Sequence, residues 1–326
     1  MKKLQSLFAA AVVVAAAAAT PALAQTKWDL PAAYPADNPH SVNLIQFAKD
    51  VEKATNGKLV ITVHPGASLF KAPDIKRAVQ TGQAQVGEVL ISIHENEDPM
   101  FGIDVIPFLA TSFPQAKKLW EASKPAIVNK LDKQGLMVLF AVPWAPQGIY
   151  VNKDLNTIAD MKGLKWRAYN VGTAKIGEAV GAQSVTVQAA DLPQALATGV
   201  VNSFISSGGT GYDSKVWESL NHFYDTRAWI PKNITFVNKA AFASLDKPTQ
   251  EAVLKAAAEA EVRGWKMWEQ KSSWYLDQLK AHGMKVLPPS PELAAGFKKI
   301  GEQLTADWLK KAGKQGEEVI AAYKKM

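Results

Sequence analysis

The sequence feature that most constrains the fold is a long segment without proline, from Thr249 to His282. Only Gly264 interrupts its helix-forming residues, and Gly283 follows as a stop signal. At about 1.5 Å per residue, a helix of this length extends roughly 50 Å, which is longer than one small domain is wide. Such a helix must pack against both halves of a two-domain body, or be kinked near Gly264.

Outside this segment, helix-like and strand-like patterns alternate along the sequence. Residues 59–63 follow the period of a strand, after a helical stretch that ends at Asn56-Gly57. Residues 136–142 form a continuous apolar run, which is typical of a buried parallel strand. The alternation predicts an α/β fold with largely parallel sheets. Further strands are predicted at 86–93, 164–169, 184–187, 200–205, 234–237 and 284–287, and further helices at 73–81, 114–135, 173–180, 191–198, 212–220 and 291–324.

The N-terminus carries the pattern of a secretory signal peptide. Lys2 and Lys3 precede a short uncharged, alanine-rich stretch, which ends in an Ala-x-Ala site at Ala24. The stretch is shorter than the roughly 20 apolar residues that span a membrane. We therefore predict that residues 1–24 are removed after Ala24 and that the mature protein is periplasmic. Removal lowers the formal charge from +7 to +5. The remaining lysines are dispersed among helix-like stretches, so we do not expect nucleic-acid binding.

Motifs for catalysis and for metal binding are largely missing from the sequence. There is no cysteine, no Gly-x-Ser-x-Gly, no His-Glu-x-x-His and no Walker phosphate loop. The five histidines do not approach metal-ligand spacing, so no metal and no cofactor is expected. Residues 206–211 read Ser-Ser-Gly-Gly-Thr-Gly and could form either a backbone anion site or a flexible turn.

Arginine usage points to one residue. Only four of the 37 basic residues are arginines, and Arg167 alone lies near the end of a predicted strand, in apolar surroundings. A buried guanidinium needs an anionic partner, and its planar fork suits a carboxylate. That partner is either an internal Asp or Glu or an external ligand, and the sequence leaves both open.

The ends of neighbouring predicted strands support a ligand site. Trp144 follows one strand, Arg167 to Asn170 end another, and Ser206 and Ser207 end a third. In open α/β sheets, ligands bind beyond the carboxyl ends of strands. A cation, an amide, hydroxyls and an aromatic ring together suit a small organic anion with an apolar body.

Residues 160–170, Asp-Met-Lys-Gly-Leu-Lys-Trp-Arg-Ala-Tyr-Asn, resemble the signature of the substrate-binding proteins of TRAP transporters, of the DctP type. Residues 197–203 resemble a second strand motif of this family, and Pro107-Phe108-Leu109 matches its Pro-Phe-Leu element. The resemblance implies a periplasmic-binding-protein-like α/β fold of two domains, joined by hinge strands and spanned by a long helix. We predict one domain from residues 25–145 with 233–270, and the other from residues 146–232 with 271–326.

The resemblance also implies roles for individual residues. Arg167 falls on the arginine that pairs with the substrate carboxylate, and Asn170 on a polar contact. Gln147 lies where many members carry a second arginine. That departure favours a monocarboxylate, possibly an aromatic or hydroxy acid, over a dicarboxylate. The remaining expected contacts are aromatic or polar: Trp144, Tyr169, Phe204, Tyr212, Ser206, Ser207, Asn38, His40, Glu88 and Ser92.

The function implied is that of a monomeric periplasmic receptor, not an enzyme. It would capture a small organic acid by hinge closure and deliver it to a permease of one small and one large membrane subunit. Two alternatives stay open at this point. One is a secreted lyase or hydrolase that uses a carboxylate and a histidine such as Glu88 and His94, and the other is a chemosensory binding protein of the same fold.

Overall fold

The computed structural model describes residues 25–326, so the predicted signal peptide lies outside the described residues. Within this range the chain forms eleven strands and nine α-helices, together with short 3-10 turns. The strands are β1 (Thr26–Pro31), β2 (Leu59–His64), β3 (Val86–Leu90), β4 (Leu136–Pro143), β5 (Gln147–Val151), β6 (Lys165–Ala168), β7 (Gln183–Thr186), β8 (Ser203–Ser207), β9 (His222–Tyr224), β10 (Lys232–Asn238) and β11 (Lys285–Leu287). The helices are α1 (Pro39–Ala54), α2 (Ala72–Gln80), α3 (Phe113–Lys133), α4 (Val171–Ala179), α5 (Leu192–Ala197), α6 (Gly208–Asp213), α7 (Lys239–Ala243), α8 (Lys247–Ala281) and α9 (Pro291–Lys325).

The strands form two lobes. The first lobe contains the parallel pair β1–β2 and the sheet β3-β10-β4, and the second lobe contains the six-stranded sheet β11-β9-β5-β8-β6-β7. Two short connections join them, from β4 to β5 and from β9 to β10. This is the expected α/β architecture, in which two lobes are joined by short segments between strands.

The prediction of largely parallel sheets is wrong in part. β10 pairs antiparallel with both β3 and β4, and β5 pairs antiparallel with both β8 and β9. The antiparallel pairing of β10 with β4 arises because the chain crosses between the lobes after β4 and returns before β10. β4 leaves the first lobe towards the second, whereas β10 returns from the second lobe, so the two strands run in opposite directions where they meet. The apolar run at 136–142 is therefore a buried antiparallel strand.

Helix α8 is one continuous helix of 35 residues, as the sequence predicts. Its first half packs Val253 and Ala260 into the core of the first lobe, whereas Leu279 packs in the second lobe. At Gly264, an added Cβ would lie 2.5 Å from a methyl group of Val142. The glycine therefore serves close packing of α8 on β4, and it does not end the helix.

Helix α9 also contacts both lobes. Leu293 and Phe297 pack in a core of the second lobe, while Trp308 and Val319 pack in the core of the first. Gly313 adopts a positive φ of 57° within this helix. The domain boundaries given above stay a prediction. No helix among residues 25–326 has an apolar stretch long enough to cross a membrane.

Two predicted elements differ from those observed. The strand predicted at 86–93 ends at Leu90 and continues as a 3-10 turn, Ile91–His94. The helix predicted at 212–220 is wrong in its bounds: α6 begins at Gly208, where the side chain of Ser207 caps it, and ends at Asp213, and a separate 3-10 turn follows at Val216–Glu218. Strands β1, β5 and β9 were not predicted, since each is short and takes its place from its neighbours in the sheet.

Candidate functional site

A cavity that is partly open to solvent lies between the two lobes. Its walls come from both lobes and from the two connections that join them. The first lobe contributes Ala33, Tyr34, Ala72, Leu90 and Ile93, the second contributes Gln147, Arg167, Tyr169, Gln188, Ala189, Ser206 and Thr210, and the connections contribute Trp144 and Pro231. The cavity therefore lies at the carboxyl ends of β4, β6 and β8, where the sequence placed the site.

Arg167 is the charged residue of this lining, and it is 2% exposed. Its Nε donates a 2.7 Å hydrogen bond to the carbonyl oxygen of Val187, which anchors the side chain at the edge of the sheet. The guanidinium carbon lies 5.0 Å from the ring centroid of Tyr169 and 6.0 Å from that of Phe204. Burial lowers the pKa of Arg167 to about 10.

No aspartate or glutamate among residues 25–326 forms a salt bridge with Arg167. Its terminal nitrogens also make no hydrogen bond to the described residues, in contrast to Arg263, which bonds Asn43 and Asp50. A buried cation of this kind favours an anion that enters the cavity. Of the two partners that the sequence left open, the structure supports the external one.

Aromatic side chains form one wall of the cavity. Trp144 donates a 2.8 Å hydrogen bond from Nε1 to Oδ1 of Asn233, and its ring meets that of Tyr34 edge-on at 4.7 Å. The hydroxyl of Tyr169 accepts a hydrogen bond from Trp229 at 3.1 Å. Burial raises the pKa of Tyr169, so this hydroxyl is neutral at physiological pH. The indole N–H of Trp144 and the hydroxyl of Tyr169 therefore each have a partner within the fold.

The other residues that the sequence predicts as ligand contacts on the second lobe fall into two groups. Gln147 and Ser206 line the cavity, whereas Ser207, Phe204 and Tyr212 lie behind its surface. Ser207 caps α6 by accepting a 3.1 Å hydrogen bond from the backbone N–H of Thr210. Phe204 stacks on Tyr150, and Tyr212 packs against Tyr275. Residues 206–211 are thus the end of β8 and the start of a capped helix, and the interpretation as a flexible turn is wrong.

Asn170 and Ser92 meet across the cleft. Asn170 caps α4, and its Nδ2 donates a 2.9 Å hydrogen bond to the Ser92 hydroxyl on the first lobe. Asn38 likewise caps α1 and donates from Nδ2 to Oδ2 of Asp213, on the second lobe, at 2.7 Å. These residues do not line the cavity but join the two lobes around it.

His40 and Glu88 lie behind the aromatic wall. Glu88 accepts a 2.9 Å hydrogen bond from Asn233, the residue that holds Trp144. The Nδ1 of His40 lies 3.7 Å from Oε2 of Glu88. The pair suggested for catalysis is not assembled, since His94 lies 3.0 Å from Glu97 instead. Burial lowers the pKa of His94 to about 4.

Several lining residues were missed by sequence reasoning, among them Tyr34, Leu90, Ile93, Gln188 and Thr210. Leu90 and Ile93 lie within the predicted strand 86–93, in which only the polar residues Glu88 and Ser92 were expected to contact the ligand. Tyr34 follows β1, which was not predicted at all. Within residues 25–326, no three His, Asp or Glu side chains are grouped closely enough to hold a metal ion.

Residues 32–311 match the DctP family, described as bacterial extracellular solute-binding protein, family 7. The monocarboxylate 2-oxoacid-binding periplasmic protein of Nostoc sp. is 23% identical over 284 residues, which cover 85% of this chain and 78% of the relative. Most of the described chain, including both lobes, is therefore shared with this family.

Two solved structures are more similar in sequence to this chain than the Nostoc protein is. DctP6 of Bordetella pertussis, an extracytoplasmic solute receptor that binds pyroglutamic acid, is 55% identical, with a TM-score of 0.91 over 92% of this chain and 100% of that one. A marine-metagenome TRAP solute-binding protein specific for pyroglutamate is 46% identical, with a TM-score of 0.91 over 93% of this chain and 99% of that one. The resemblance carried by residues 160–170 is confirmed, and the chain belongs to the DctP family of extracellular solute-binding proteins, the receptors of TRAP transporters.

Proposed function

We propose that this receptor captures pyroglutamate, the cyclic lactam of glutamate, in the cavity between its lobes. The observation that carries the proposal is the buried guanidinium of Arg167, which forms no salt bridge with any residue in 25–326. Pyroglutamate brings one carboxylate and a small neutral ring. The two relatives described above, at 55% and 46% identity, and DctP7 of B. pertussis, at 42%, are all described as pyroglutamate-binding.

The carboxylate would bind the two terminal nitrogens of Arg167 through charge-assisted hydrogen bonds. Nε stays on the Val187 carbonyl, so the fork is held in place before the ligand arrives. Closure of the lobes removes water from the cavity, and the attraction between the charges strengthens as the local dielectric constant falls. Arg167 is therefore the anchor of the ligand in this proposal.

The rest of the lining suits a monocarboxylate. Apart from Arg167, its residues are uncharged, and Trp144, Tyr169, Leu90 and Ile93 offer apolar surface for a ring. A second carboxylate would be buried with no second cation in the lining, at a cost of several kcal/mol. The same argument disfavours glutamate, whose ammonium group would meet no anion among the lining residues.

We further propose that the receptor acts in uptake and performs no chemistry on its ligand. Hydrogen bonds between the lobes, such as Asn38 to Asp213 and Asn170 to Ser92, support a closed form that a TRAP permease would recognise. Removal of residues 1–24 would release the protein into the periplasm. Incubation with pyroglutamate should therefore leave the compound unchanged, and deletion of the gene should abolish its uptake rather than only a tactic response.

The proposal is tested by calorimetry and thermal unfolding with pyroglutamate, glutamate, succinate and a 2-oxoacid. Pyroglutamate at 100 times its Kd should stabilise the protein by about 2.7 kcal/mol and raise the Tm by about 5 °C or more. Arg167→Ala should abolish this shift. Arg77→Ala is the matched control, since Arg77 is exposed on α2 and its loss should leave binding unchanged. Tight binding by Arg167→Ala would contradict the anchor role.

A further inference from the structure

The side chain of Gln147 is held in one orientation. It is 3% exposed at the first residue of β5, and its Nε2 donates a 2.8 Å hydrogen bond to the carbonyl oxygen of Ala145. The reversed amide would place Oε1 against that carbonyl oxygen, and two acceptors repel. Therefore Oε1 is the atom of this amide that remains available to the cavity. It accepts no hydrogen bond from residues 25–326.

The backbone around Gln147 is fixed as well. Its N–H donates to the carbonyl of Trp229 at 3.0 Å, and its own carbonyl accepts from the N–H of Ala228 at 2.9 Å. The hydroxyl of Thr226 donates to the same carbonyl at 3.1 Å. Because the main chain and the amide nitrogen are both held, the free oxygen is placed before any ligand binds.

Gln147 and Arg167 line the cavity from two strands that flank β8. Gln147 pairs with Ser207, and Arg167 pairs with Phe204. Ser207 and Phe204 are three residues apart on β8, so the backbones of Gln147 and Arg167 are separated by roughly 10 Å along the strands as well as roughly 10 Å across the sheet, and both residues nevertheless line the cavity. The two side chains thus offer complementary chemistry: the guanidinium can only donate hydrogen bonds, and the free amide oxygen can only accept them.

We propose that Gln147 selects ligands that carry an N–H group next to the carboxylate-bearing carbon. This inference rests on the proposed function and adds a specificity residue to it. In pyroglutamate the carboxylate and the ring N–H are attached to the same carbon. The carboxylate binds Arg167, and the ring N–H donates to Oε1 of Gln147. A ring without this N–H leaves a buried acceptor unsatisfied, which weakens binding.

The test compares pyroglutamate with 5-oxotetrahydrofuran-2-carboxylate, the lactone in which oxygen replaces the ring N–H. The two rings have nearly the same shape and charge. Calorimetry on the full mature protein should give a Kd for the lactone that is about 10- to 100-fold higher. This comparison uses the wild-type protein alone, so it does not depend on the folding of a variant.

A variant of Gln147 then tests whether this residue causes the preference for the lactam over the lactone. Gln147→Met keeps the length of the side chain and removes the acceptor, so it should weaken pyroglutamate binding about 10-fold or more and leave lactone binding within about threefold. The preference for the lactam should fall towards one. Gln46→Met is the matched control, because Gln46 is exposed on α1 and is not part of the cavity lining, and it should preserve the preference.

The outcomes separate the two proposals. Failure of wild-type protein to bind either ring would contradict the proposed function itself. Equal binding of the two rings by wild-type protein would contradict only the role of Gln147. A preference that survives in Gln147→Met, or that disappears in Gln46→Met, would likewise overturn the assignment to Gln147.

Discussion

Two buried cations of this receptor, Lys232 and Arg167, have opposite environments. Lys232 is 1% exposed at the start of β10, and its Nζ lies 3.2 Å from Oδ2 of the buried Asp104. The backbone N–H of Lys232 donates to the same carboxylate at 2.9 Å. Arg167 is buried to nearly the same degree, yet no carboxylate of residues 25–326 forms a salt bridge with it.

The difference shows how a ligand-binding cation can be told from a structural one. Removing either charge from water costs several kcal/mol, which only an anion and hydrogen bonds can offset. For Lys232 the fold supplies the anion, so the pair belongs to the connection between the lobes. For Arg167 no carboxylate of residues 25–326 supplies the anion, which is why we propose that the ligand supplies it.

The largest effect is expected for Arg167→Met. Pyroglutamate binding should weaken about 1,000-fold or more, because two charge-assisted hydrogen bonds are lost. The unliganded protein should be as stable as wild type, or up to about 1 kcal/mol more stable, since an unpaired buried charge is removed. Calorimetry and urea unfolding measure the two effects. Marked destabilisation of the unliganded variant would mean that Arg167 also supports the fold.

Lys232→Met should destabilise the unliganded protein, in contrast to Arg167→Met. Asp104 would remain buried without its cation, and the free energy of unfolding should fall by about 3 kcal/mol at pH 7. Urea unfolding without ligand measures the loss. The double variant Lys232→Met with Asp104→Leu should recover most of the stability, because both charges are then absent. No loss in the single variant would remove the contrast with Arg167.

Asp213 extends the comparison to a buried anion. Burial, with a smaller contribution from the neighbouring Asp37, raises the pKa of Asp213 to about 6, although the hydrogen bond from Asn38 and the charge of Lys271 act against the rise. The folded protein therefore binds a proton more readily than the unfolded chain between about pH 4 and pH 6. Across this window the contribution of Asp213 to stability falls as the pH rises.

Asp213→Asn should remove this penalty. At pH 7.5 the variant should be about 1–2 kcal/mol more stable than wild type, and the gain should vanish near pH 4. Thermal or urea unfolding of both proteins from pH 4 to pH 8 measures the difference. Asp277→Asn, on an exposed surface of α8, is the control and should show no such trend. A gain that does not change with pH would rule out the titration of Asp213 as its cause.

The smallest effect is expected at the rim of the cleft. Lys71 on the first lobe and Asp191 on the second form a 3.1 Å ion pair, and both side chains are about half exposed or more. Asp191→Asn should change pyroglutamate affinity by no more than about threefold at low salt. The change should disappear in 0.5 M NaCl, where exposed charges are screened. Calorimetry at both salt concentrations checks this, and a large effect that persists in salt would contradict it.

Much of the fold is encoded in patterns that the chain carries locally. The continuous helix α8 follows from a proline-free, helix-forming stretch, and its start is set by the cap of Asp246 on Thr249. The position of Arg167 at a strand end follows from the apolar period of the residues around it. Such signals reach only a few residues, which is why they can be read without the tertiary structure.

The direction of β10, and the separation of Glu88 and His40 from the cavity, could not be predicted in this way. Asn233 and Glu88 are 145 positions apart in the sequence and 2.9 Å apart in the fold. Whether a polar side chain is satisfied internally depends on such distant neighbours. Tyr34 and Gln188 join the lining for the same reason, since the fold brings them together from distant positions in the sequence.

The sequence by itself determined that the chain is an α/β protein with a long helix, and that Arg167 needs an anion. Only the tertiary structure decided where that anion comes from. A sequence pattern records the charge and its apolar surroundings, but the partner of a buried charge is set by packing among residues far apart in the chain. Here that packing gives Lys232 a carboxylate and leaves Arg167 facing the cavity.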